Sequence, residues 1–175
     1  DELGPFLANA LGSQESTLYK MVAAYAMFAN GGERVEPTLV DRIQDRYGET
    51  IYRHDKRQCV DCDSASLAAS ALPRIASNRD RVMDPVTAYQ LTSMMKGVVD
   101  RGTASGHVKL SVPVAGKTGT TDESFDTWFV GFSPDLVVGV FAGFDTPRSL
   151  GRNEEGSSVA APIFRDFMAE ALKDE

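Results

Sequence analysis

"VPVAGKTGTTDESFDTWFVGFSPDLVVGVFAGF", residues 112–144, is the stretch of sequence that decides the fold. It contains three strand-like runs, at 112–121, 127–132 and 136–144. The last two runs are separated by Ser133-Pro134-Asp135, which is the length of a hairpin loop, so they are expected to pair antiparallel. Because helices are predicted on both sides of this stretch, the sequence favours an α+β fold in which helices pack on an antiparallel sheet.

Three helices are predicted from the spacing of apolar residues. The first covers residues 17–30, with Ser16 as its N-cap and Gly31-Gly32 as its stop. The second follows Asp84 as N-cap and Pro85 at the first helical position, and the third begins around Pro162. Their predicted apolar faces are Leu18, Met21, Val22, Tyr25, Phe28 and Ala29; Ala88, Leu91, Met94, Met95, Val98 and Val99; and Ile163, Phe164, Phe167, Met168, Ala171 and Leu172.

The region between the first two helices is less regular. Residues 38–53 predict a small exposed hairpin that turns at Tyr47-Gly48-Glu49. Residues 54–83 are charged, then rich in Ser and Ala, then charged again, and are interpreted as a loop insertion with one short helix around Ser66–Ala71. The length of 175 residues predicts a single domain.

Charge and hydropathy exclude several classes of protein. The chain has 25 acidic and 18 basic residues and a net charge of −7, so it has neither the basic footprint expected for nucleic-acid binding nor a polybasic face for anionic lipid. No run of 18 apolar residues and no signal-peptide pattern is present, so we expect that this stretch neither spans a membrane nor directs its own export. Because the chain begins at Asp1, we expect it to be part of a longer protein.

The two cysteines form a CxxC pair, Cys59-Val60-Asp61-Cys62, in a charged context. Three interpretations remain open: a local disulfide or free thiols in a surface loop, a redox or regulatory pair, and a metal site completed by His54 and His107. The first is favoured, since a second CxxC is missing and His107 is far away in the sequence. No cofactor is expected.

Residues 117–120, Lys-Thr-Gly-Thr, carry the chemistry. Lys117 can lend positive charge or relay a proton, and threonine hydroxyls beside it can hold a substrate carboxylate. Gly119 lets a substrate backbone approach, or lets a backbone N–H point into a cleft where it stabilises an oxyanion. A phosphate-binding loop is excluded, because G-x-x-x-x-G-K-[ST] requires glycine where Ser111 stands and a helix afterwards.

The motifs TSMMKGVVDRGTA, VAGKTGTT and FDTWFVGFSP, in this order, resemble the second half of the transpeptidase domain of class A, bifunctional penicillin-binding proteins. ALGSQESTLYKMVAAYAMFANGG is similar to the family's helix before its small hairpin, and GSSVAAPIFRDFM is similar to its last helix. The resemblance covers nearly the whole chain apart from residues 54–81. It implies a C-terminal portion of a serine β-lactamase/D,D-peptidase-like fold.

The resemblance also implies a role for each residue of the motif. Lys117 would supply charge and proton relay, and Gly119 would keep the wall of the site flat. Thr118 and Thr120 would bind the terminal carboxylate of a D-Ala-D-Ala stem peptide or of a β-lactam, with Thr121 next to them in the substrate-binding set. The backbone N–H of Thr120 would form half of the oxyanion hole.

The serine nucleophile of this family is missing from the chain. The family's S-x-x-K and S-x-N motifs should precede residue 1, and no S-x-N occurs in the sequence. Ser93-Met94-Met95-Lys96 has the S-x-x-K pattern, but it is interpreted as a decoy, because Met94 and Met95 are assigned to the apolar face of a helix and the spacing to Lys117 is too short.

The residues that follow the Lys-Thr-Gly-Thr motif have less specific interpretations. Asp122 and Glu123 either disfavour an anionic substrate or are simply solvated. Trp128 is interpreted as a packing residue more than as a ligand contact.

The leading hypothesis is therefore a periplasmic peptidoglycan D,D-transpeptidase that is acylated by β-lactams and anchored to the membrane through a missing N-terminal part. Two alternatives stay open: a D,D-carboxypeptidase or serine β-lactamase of the same fold, and a non-catalytic half-domain that acts as a binding module. The expected partners are the stem peptide, β-lactams and the remainder of the same protein, and nucleic acid is not one of them. The apolar strand at 136–144 is expected to need a covering partner.

Overall fold

The computed structural model describes residues 4–60, 62 and 74–173. Three α-helices and seven strands lie in these ranges: α1 (Leu18–Ala29), β1 (Arg42–Gln44), β2 (Thr50–Arg53), β3 (Gln58–Val60), β4 (Arg74–Ala76), α2 (Pro85–Arg101), β5 (Ala115–Thr120), β6 (Asp126–Phe132), β7 (Val137–Gly143) and α3 (Ala161–Ala171). Short 3-10 turns occur at Leu7–Leu11 and Asp122–Ser124, and a π-helical turn at Gly156–Ala160 precedes α3.

The central sheet is antiparallel with strand order β5-β6-β7, which confirms the predicted α+β class. Strand β5 starts at Ala115 rather than at residue 112. Pro113 explains the later start, because proline has no N–H to donate to a strand ladder. Lys117 pairs with Val130, and Val130 with Gly139, so these three positions share one face of the sheet.

The hydrophobic core lies on the opposite face. Phe129 of β6 packs against Phe164 of α3 with ring centroids 4.7 Å apart, and both side chains are fully buried, as is Met168. Each such side chain contributes about 1.5–3 kcal/mol through removal from water. The end of α2 adds Val99 to the same core. Helix α3 and the end of α2 thus cover the face of the sheet that carries Phe129.

Helix α1 lies on the face that carries Gly139. A Cβ atom at Gly139 would lie 2.6 Å from Val22 Cγ2 and 2.8 Å from Leu18 Cδ1, so the absence of a side chain lets the helix approach the strand. Its N-cap is Thr17 rather than Ser16, since Thr17 Oγ1 accepts a hydrogen bond from the Lys20 amide at 3.3 Å. The predicted face is half-buried rather than fully buried, and it is wrong at Ala29, which is exposed.

Helices α2 and α3 start where the sequence indicates but bury narrower faces. Asp84 caps α2 by accepting from two amides, those of Val86 and Thr87, and Pro85 follows it as predicted. The predicted faces are wrong at Met94, which is 61% exposed, and at Ile163 and Phe167, which are 50% and 54% exposed. They are also wrong at Ala171, which is exposed. The reason is geometric: one step along a helix rotates a side chain by about 100°, so neighbours such as Met94 and Met95 cannot face the sheet equally.

Two small antiparallel ribbons connect α1 to α2. Strands β1 and β2 form a hairpin within residues 38–53, and its turn is closed by Asp45, whose carboxylate accepts from the Tyr47 and Glu49 amides. Strands β3 and β4 also pair, so the interpretation of 54–83 as a plain loop is wrong at these strands. The helix expected at Ser66–Ala71 lies outside the described residues.

The ends of this connection meet beside α1. The Met83 amide donates to the Gly32 carbonyl at 3.1 Å, and Arg81 forms a salt bridge with Glu33 at 3.0 Å. Within the part of the chain that the structure describes, none of the helices has the length and apolarity needed to cross a bilayer.

Candidate active site

The residues of the Lys-Thr-Gly-Thr motif lie on β5, at the edge of the sheet. Among the described strands β5 has a neighbour on one side only, so alternate backbone groups face away from the sheet. Lys117 and Thr120 are exposed, and Thr118 and Gly119 are half-buried. Lys117 Nζ donates to the Thr118 carbonyl oxygen at 3.0 Å and to Thr118 Oγ1 at 3.4 Å, so the ammonium group lies beside the first hydroxyl.

Two threonine hydroxyls lie on one side of this strand, and each has a partner from another segment. Thr118 Oγ1 is 3.0 Å from Thr103 Oγ1, in the turn after α2. Thr120 Oγ1 accepts a hydrogen bond of 3.0 Å from the Gly156 amide, at the start of the π-helical turn. Since residues two apart in a strand share a side and are about 7 Å apart along it, the hydroxyls form a pair along the edge.

Close approach of backbones makes glycine necessary at Gly156. A Cβ atom there would lie 2.5 Å from the Trp128 carbonyl oxygen and 2.6 Å from the Gly119 carbonyl oxygen. A reciprocal capping box between Glu155 and Ser158 fixes the turn around Gly156. The sequence therefore places a backbone N–H directly behind Thr120, at a distance that a side chain at position 156 would not allow.

The turn that follows β5 uses the hydroxyl of Thr121. Thr121 Oγ1 accepts from the Asp126 amide at 2.8 Å, and the Thr121 amide donates to the Asp126 carbonyl at 3.1 Å. Glu123 and Ser124 have left-handed backbone angles, with φ of 59° and 55°. Ser149 Oγ stabilises this conformation by donating to the Glu123 carbonyl at 2.7 Å. Thr121 thus closes the end of the motif strand.

The remaining residues near the motif have packing or solvent roles. The half-buried Trp128 packs against Phe141 with ring centroids 4.8 Å apart, in agreement with its interpretation as a packing residue. Asp122 and Glu123 are exposed, which fits the solvated alternative.

The Ser93 and Lys96 pair does not have the arrangement of a nucleophile and its base. Both residues are exposed on α2. Lys96 Nζ forms a salt bridge with Asp100 Oδ2 at 2.5 Å, one turn further along the helix. Its ammonium group therefore pairs with a carboxylate, in line with the interpretation of this S-x-x-K as a decoy.

Cys59 and Cys62 form a disulfide, which agrees with the favoured interpretation of the CxxC pair. Both residues are exposed. The ring of His54, which the metal interpretation required, has its Nε2 3.2 Å from the Glu36 carbonyl oxygen. In the described ranges, no three His, Cys, Asp or Glu side chains cluster in a way that could hold a metal ion.

Thr103 and Gly156 are site residues that the sequence patterns did not indicate. Both contact β5 across long sequence separations, 15 residues for the Thr103 contact and 36 for the Gly156 contact. A Glu155-x-x-Ser158 pattern is the sole local signal near Gly156, and it predicts a cap and not a contact.

Comparison with known proteins gives a consistent family. Residues 4–169 match the family model described as penicillin binding protein transpeptidase domain. Penicillin-binding protein 1A of Rickettsia bellii is 50% identical over 167 residues, which cover 94% of this chain and 21% of that protein. Penicillin-binding protein 1A of Neisseria gonorrhoeae is 41% identical over 174 residues, which cover 98% of this chain and 20% of that protein. The chain thus spans about a fifth of the length of these relatives.

Solved structures show the same fold. The crystal structure of penicillin-binding protein 1A from Haemophilus influenzae aligns with a TM-score of 0.75 and 28% identity, over 96% of this chain and 28% of the other. Penicillin-binding protein PonA1 from Mycobacterium tuberculosis aligns with a TM-score of 0.75 over 97% of this chain and 41% of the other, and at 22% identity it supports the fold alone. The resemblance carried by the Lys117 motif and its flanking segments is confirmed: the chain belongs to the penicillin binding protein transpeptidase domain family.

Proposed function

We propose that this chain is the C-terminal part of a peptidoglycan D,D-transpeptidase domain and supplies the carboxylate-binding wall of its active site. The observation that carries the proposal is the arrangement on β5: one ammonium group and two hydroxyls on an edge strand, with a hydrogen-bond partner behind each hydroxyl. Membership of the transpeptidase family and 50% identity to a penicillin-binding protein 1A support the reaction class.

Each residue of the wall has a proposed role. Thr118 and Thr120 donate their hydroxyl hydrogens to the terminal carboxylate of the stem peptide or of a β-lactam, and Lys117 adds positive charge and relays protons. The Thr120 backbone N–H provides half of the oxyanion hole. Gly119, where a Cβ atom would be 3.1 Å from Trp128 Cβ, keeps the wall flat, and Thr121 contributes by closing the turn that ends it.

The reaction is a double displacement at a serine supplied by the rest of the protein. The serine oxygen attacks the carbonyl carbon of the penultimate D-Ala, the peptide bond breaks, and the serine proton passes to the departing D-Ala amine. An amine of a neighbouring stem peptide then attacks the acyl ester, loses a proton and regenerates the serine. In the longer parent protein we place this reaction in the periplasm, with an N-terminal membrane anchor and a glycosyltransferase domain.

The test is covalent labelling of the full-length parent protein with a fluorescent penicillin. The wild type is expected to be labelled, and Lys117→Ala is expected to lose at least tenfold in labelling rate, because the charge beside Thr118 Oγ1 is removed. Lys96→Ala is the matched control, since Lys96 pairs with Asp100 on the surface of α2 and should be labelled like the wild type. Equal labelling of wild type and Lys117→Ala contradicts the role of Lys117.

A second experiment concerns the nucleophile. The 175-residue chain alone is expected to form no acyl adduct, because Ser93 is its sole S-x-x-K serine and Lys96 pairs with Asp100 instead. Intact-protein mass spectrometry after incubation with penicillin measures this directly. A mass increase of one penicillin per chain would contradict the assignment of the nucleophile to another part of the protein.

A further inference from the structure

We infer that Thr103 is a positioning residue, which directs the hydroxyl hydrogen of Thr118 toward the substrate carboxylate. The inference rests on the proposed function, since it deepens the role given there to Thr118. Its basis is the 3.0 Å contact between Thr103 Oγ1 and Thr118 Oγ1, which joins the turn after α2 to the edge strand β5.

The turn that carries Thr103 is held firmly in place. Ala104, the next residue, is fully buried in the core, and its amide donates to the Val98 carbonyl at 3.1 Å. Gly102, the residue before, has no room for a side chain, because a Cβ atom would lie 2.8 Å from Val98 Cα. Thr103 is thus an exposed residue of an anchored turn, and the fold sets the position of its backbone.

The hydrogen-bonding capacity of the Thr118 hydroxyl determines the role of Thr103. A hydroxyl has one hydrogen to donate and two lone pairs that accept. The Lys117 ammonium group has donors only, so Thr118 Oγ1 must be the acceptor in their 3.4 Å contact. A carboxylate has acceptors only, so Thr118 can bind it only by donating its single hydrogen. Thr103 must then be the donor to Thr118, and both lone pairs of Thr118 are occupied.

This arrangement orients the Thr118 hydroxyl before the substrate arrives. With Lys117 and Thr103 on its two lone pairs, its hydrogen points away from both. Thr120 gains the same orientation from a fixed donor, the Gly156 amide. Thr103 is the counterpart of that amide, but its hydroxyl can rotate and is exposed, so water can partly replace it. We therefore expect a moderate decrease in the acylation rate when the Thr103 hydroxyl is removed.

The test uses the full-length parent protein and the second-order rate of acylation by a penicillin and by its methyl ester. Thr103→Val should lower the rate with the free acid about three- to tenfold, which corresponds to one ordinary hydrogen bond. It should leave the much slower rate with the ester unchanged, since the ester lacks the carboxylate. Thr103→Ser retains the hydroxyl and should react like the wild type.

Two further variants separate positioning from folding. Ser105→Ala is the matched control: it removes a side-chain hydrogen bond to the Asp100 carbonyl in the same turn, without touching Thr118, and should leave both rates unchanged. When Thr103→Val is added to Thr118→Val, the acylation rate with the free acid should fall no further, because the Thr118 hydroxyl that Thr103 positions is already absent.

The outcomes are distinguishable. Three results would overturn the role of Thr103 while the proposed function stands. They are an equal loss of acylation rate with acid and ester in Thr103→Val, an unchanged acylation rate in Thr103→Val, and a Thr103→Ser protein that does not react like the wild type. A wild-type protein that no penicillin acylates overturns the proposed function itself, and the role of Thr103 falls with it.

Discussion

At the scale of single residues, the site depends on donors that come from outside the motif. The Gly156 amide lies 3.0 Å behind the Thr120 hydroxyl, and the Thr103 hydroxyl lies 3.0 Å from that of Thr118. An unsatisfied or misdirected hydroxyl would first have to reorient before it could bind a carboxylate. Donors held behind the hydroxyls reduce this cost, so the preorganisation of the wall belongs to the fold as much as to the motif.

Gly156→Ala should disturb the wall through packing. The added Cβ atom would lie 2.5 Å from the Trp128 carbonyl oxygen and 2.6 Å from the Gly119 carbonyl oxygen, so the π-helical turn must shift. The shift should cost about 1–3 kcal/mol in free energy of unfolding and weaken the hydrogen bond to Thr120. Denaturant unfolding measures the free energy of unfolding, and reaction of the full-length protein with penicillin measures the acylation rate. Both the free energy of unfolding and the acylation rate should fall.

Ser157→Ala is the neighbouring control for this substitution. Ser157 is half-buried in the same turn, and its replacement by alanine adds no volume. Its stability and acylation rate are expected to remain close to those of the wild type. A Gly156→Ala protein as stable and as reactive as Ser157→Ala would show that β5 does not need the close approach.

At the scale of elements, helix α3 is held to the sheet by one narrow line of side chains. Phe164 and Met168 are fully buried, whereas Phe167, between them in sequence, is 54% exposed. Phe164 packs on Phe129 of β6, directly on the strand that pairs with the motif strand. The helix therefore stabilises the site through β6.

Phe164→Ala and Phe167→Ala form a matched pair of substitutions on this helix. Removal of the buried Phe164 ring leaves a cavity against Phe129 and should cost about 3–5 kcal/mol in free energy of unfolding. Removal of the half-exposed Phe167 ring should lower the free energy of unfolding clearly less. Denaturant unfolding of the two variants gives the comparison, and equal losses would contradict the assignment of the core to one side of α3.

The sequence predicts these elements to different degrees. Strands β5, β6 and β7 and all three helices follow from apolar periodicity, a hairpin-length loop and the Asp84-Pro85 start signal. The sequence patterns do not indicate strands β3 and β4, because each strand has only 3 residues, too few to show an alternating pattern. Periodicity places Met94, Ile163 and Phe167 on the apolar faces, because it gives the width of an apolar stripe, while tertiary packing selects which part of the stripe is covered.

The same distinction applies to the site. Lys117, Thr118 and Thr120 are contiguous in sequence, so their chemistry can be recognised from the motif alone. Thr103 and Gly156 reach the strand from distant turns, and nothing in their local sequence encodes that contact.

At the scale of the whole molecule, much apolar surface of the chain remains uncovered. Helix α1 has apolar residues on every side, yet none of them is fully buried, and Tyr19 is 54% exposed. A helix that is apolar all round is normally enclosed. Strand β7 has a neighbour on one side only among the described strands, and Phe141 on it is 45% exposed. The relatives are about five times as long as the matched region, so in those proteins the region is accompanied by further chain.

The isolated 175-residue chain is therefore expected to self-associate. Exposed apolar surface and an unpaired strand edge both favour contacts between copies. Light scattering over a range of protein concentrations measures the mass of the particles in solution, and a mass above that of one chain is expected. A constant monomer mass of 19.0 kDa at every concentration would contradict the prediction.

The hydrogen bond from the Met83 amide to the Gly32 carbonyl has a consequence for how the domain can vary. The Arg81–Glu33 salt bridge joins the same two ends of the connection, so both ribbons and the Cys59–Cys62 disulfide lie in a segment whose ends are held together. Doubling the length of such a loop costs only about 0.6 kcal/mol in closure entropy. Changes of length within residues 38–76 are therefore expected to leave the positions of Lys117, Thr118 and Thr120 nearly unchanged.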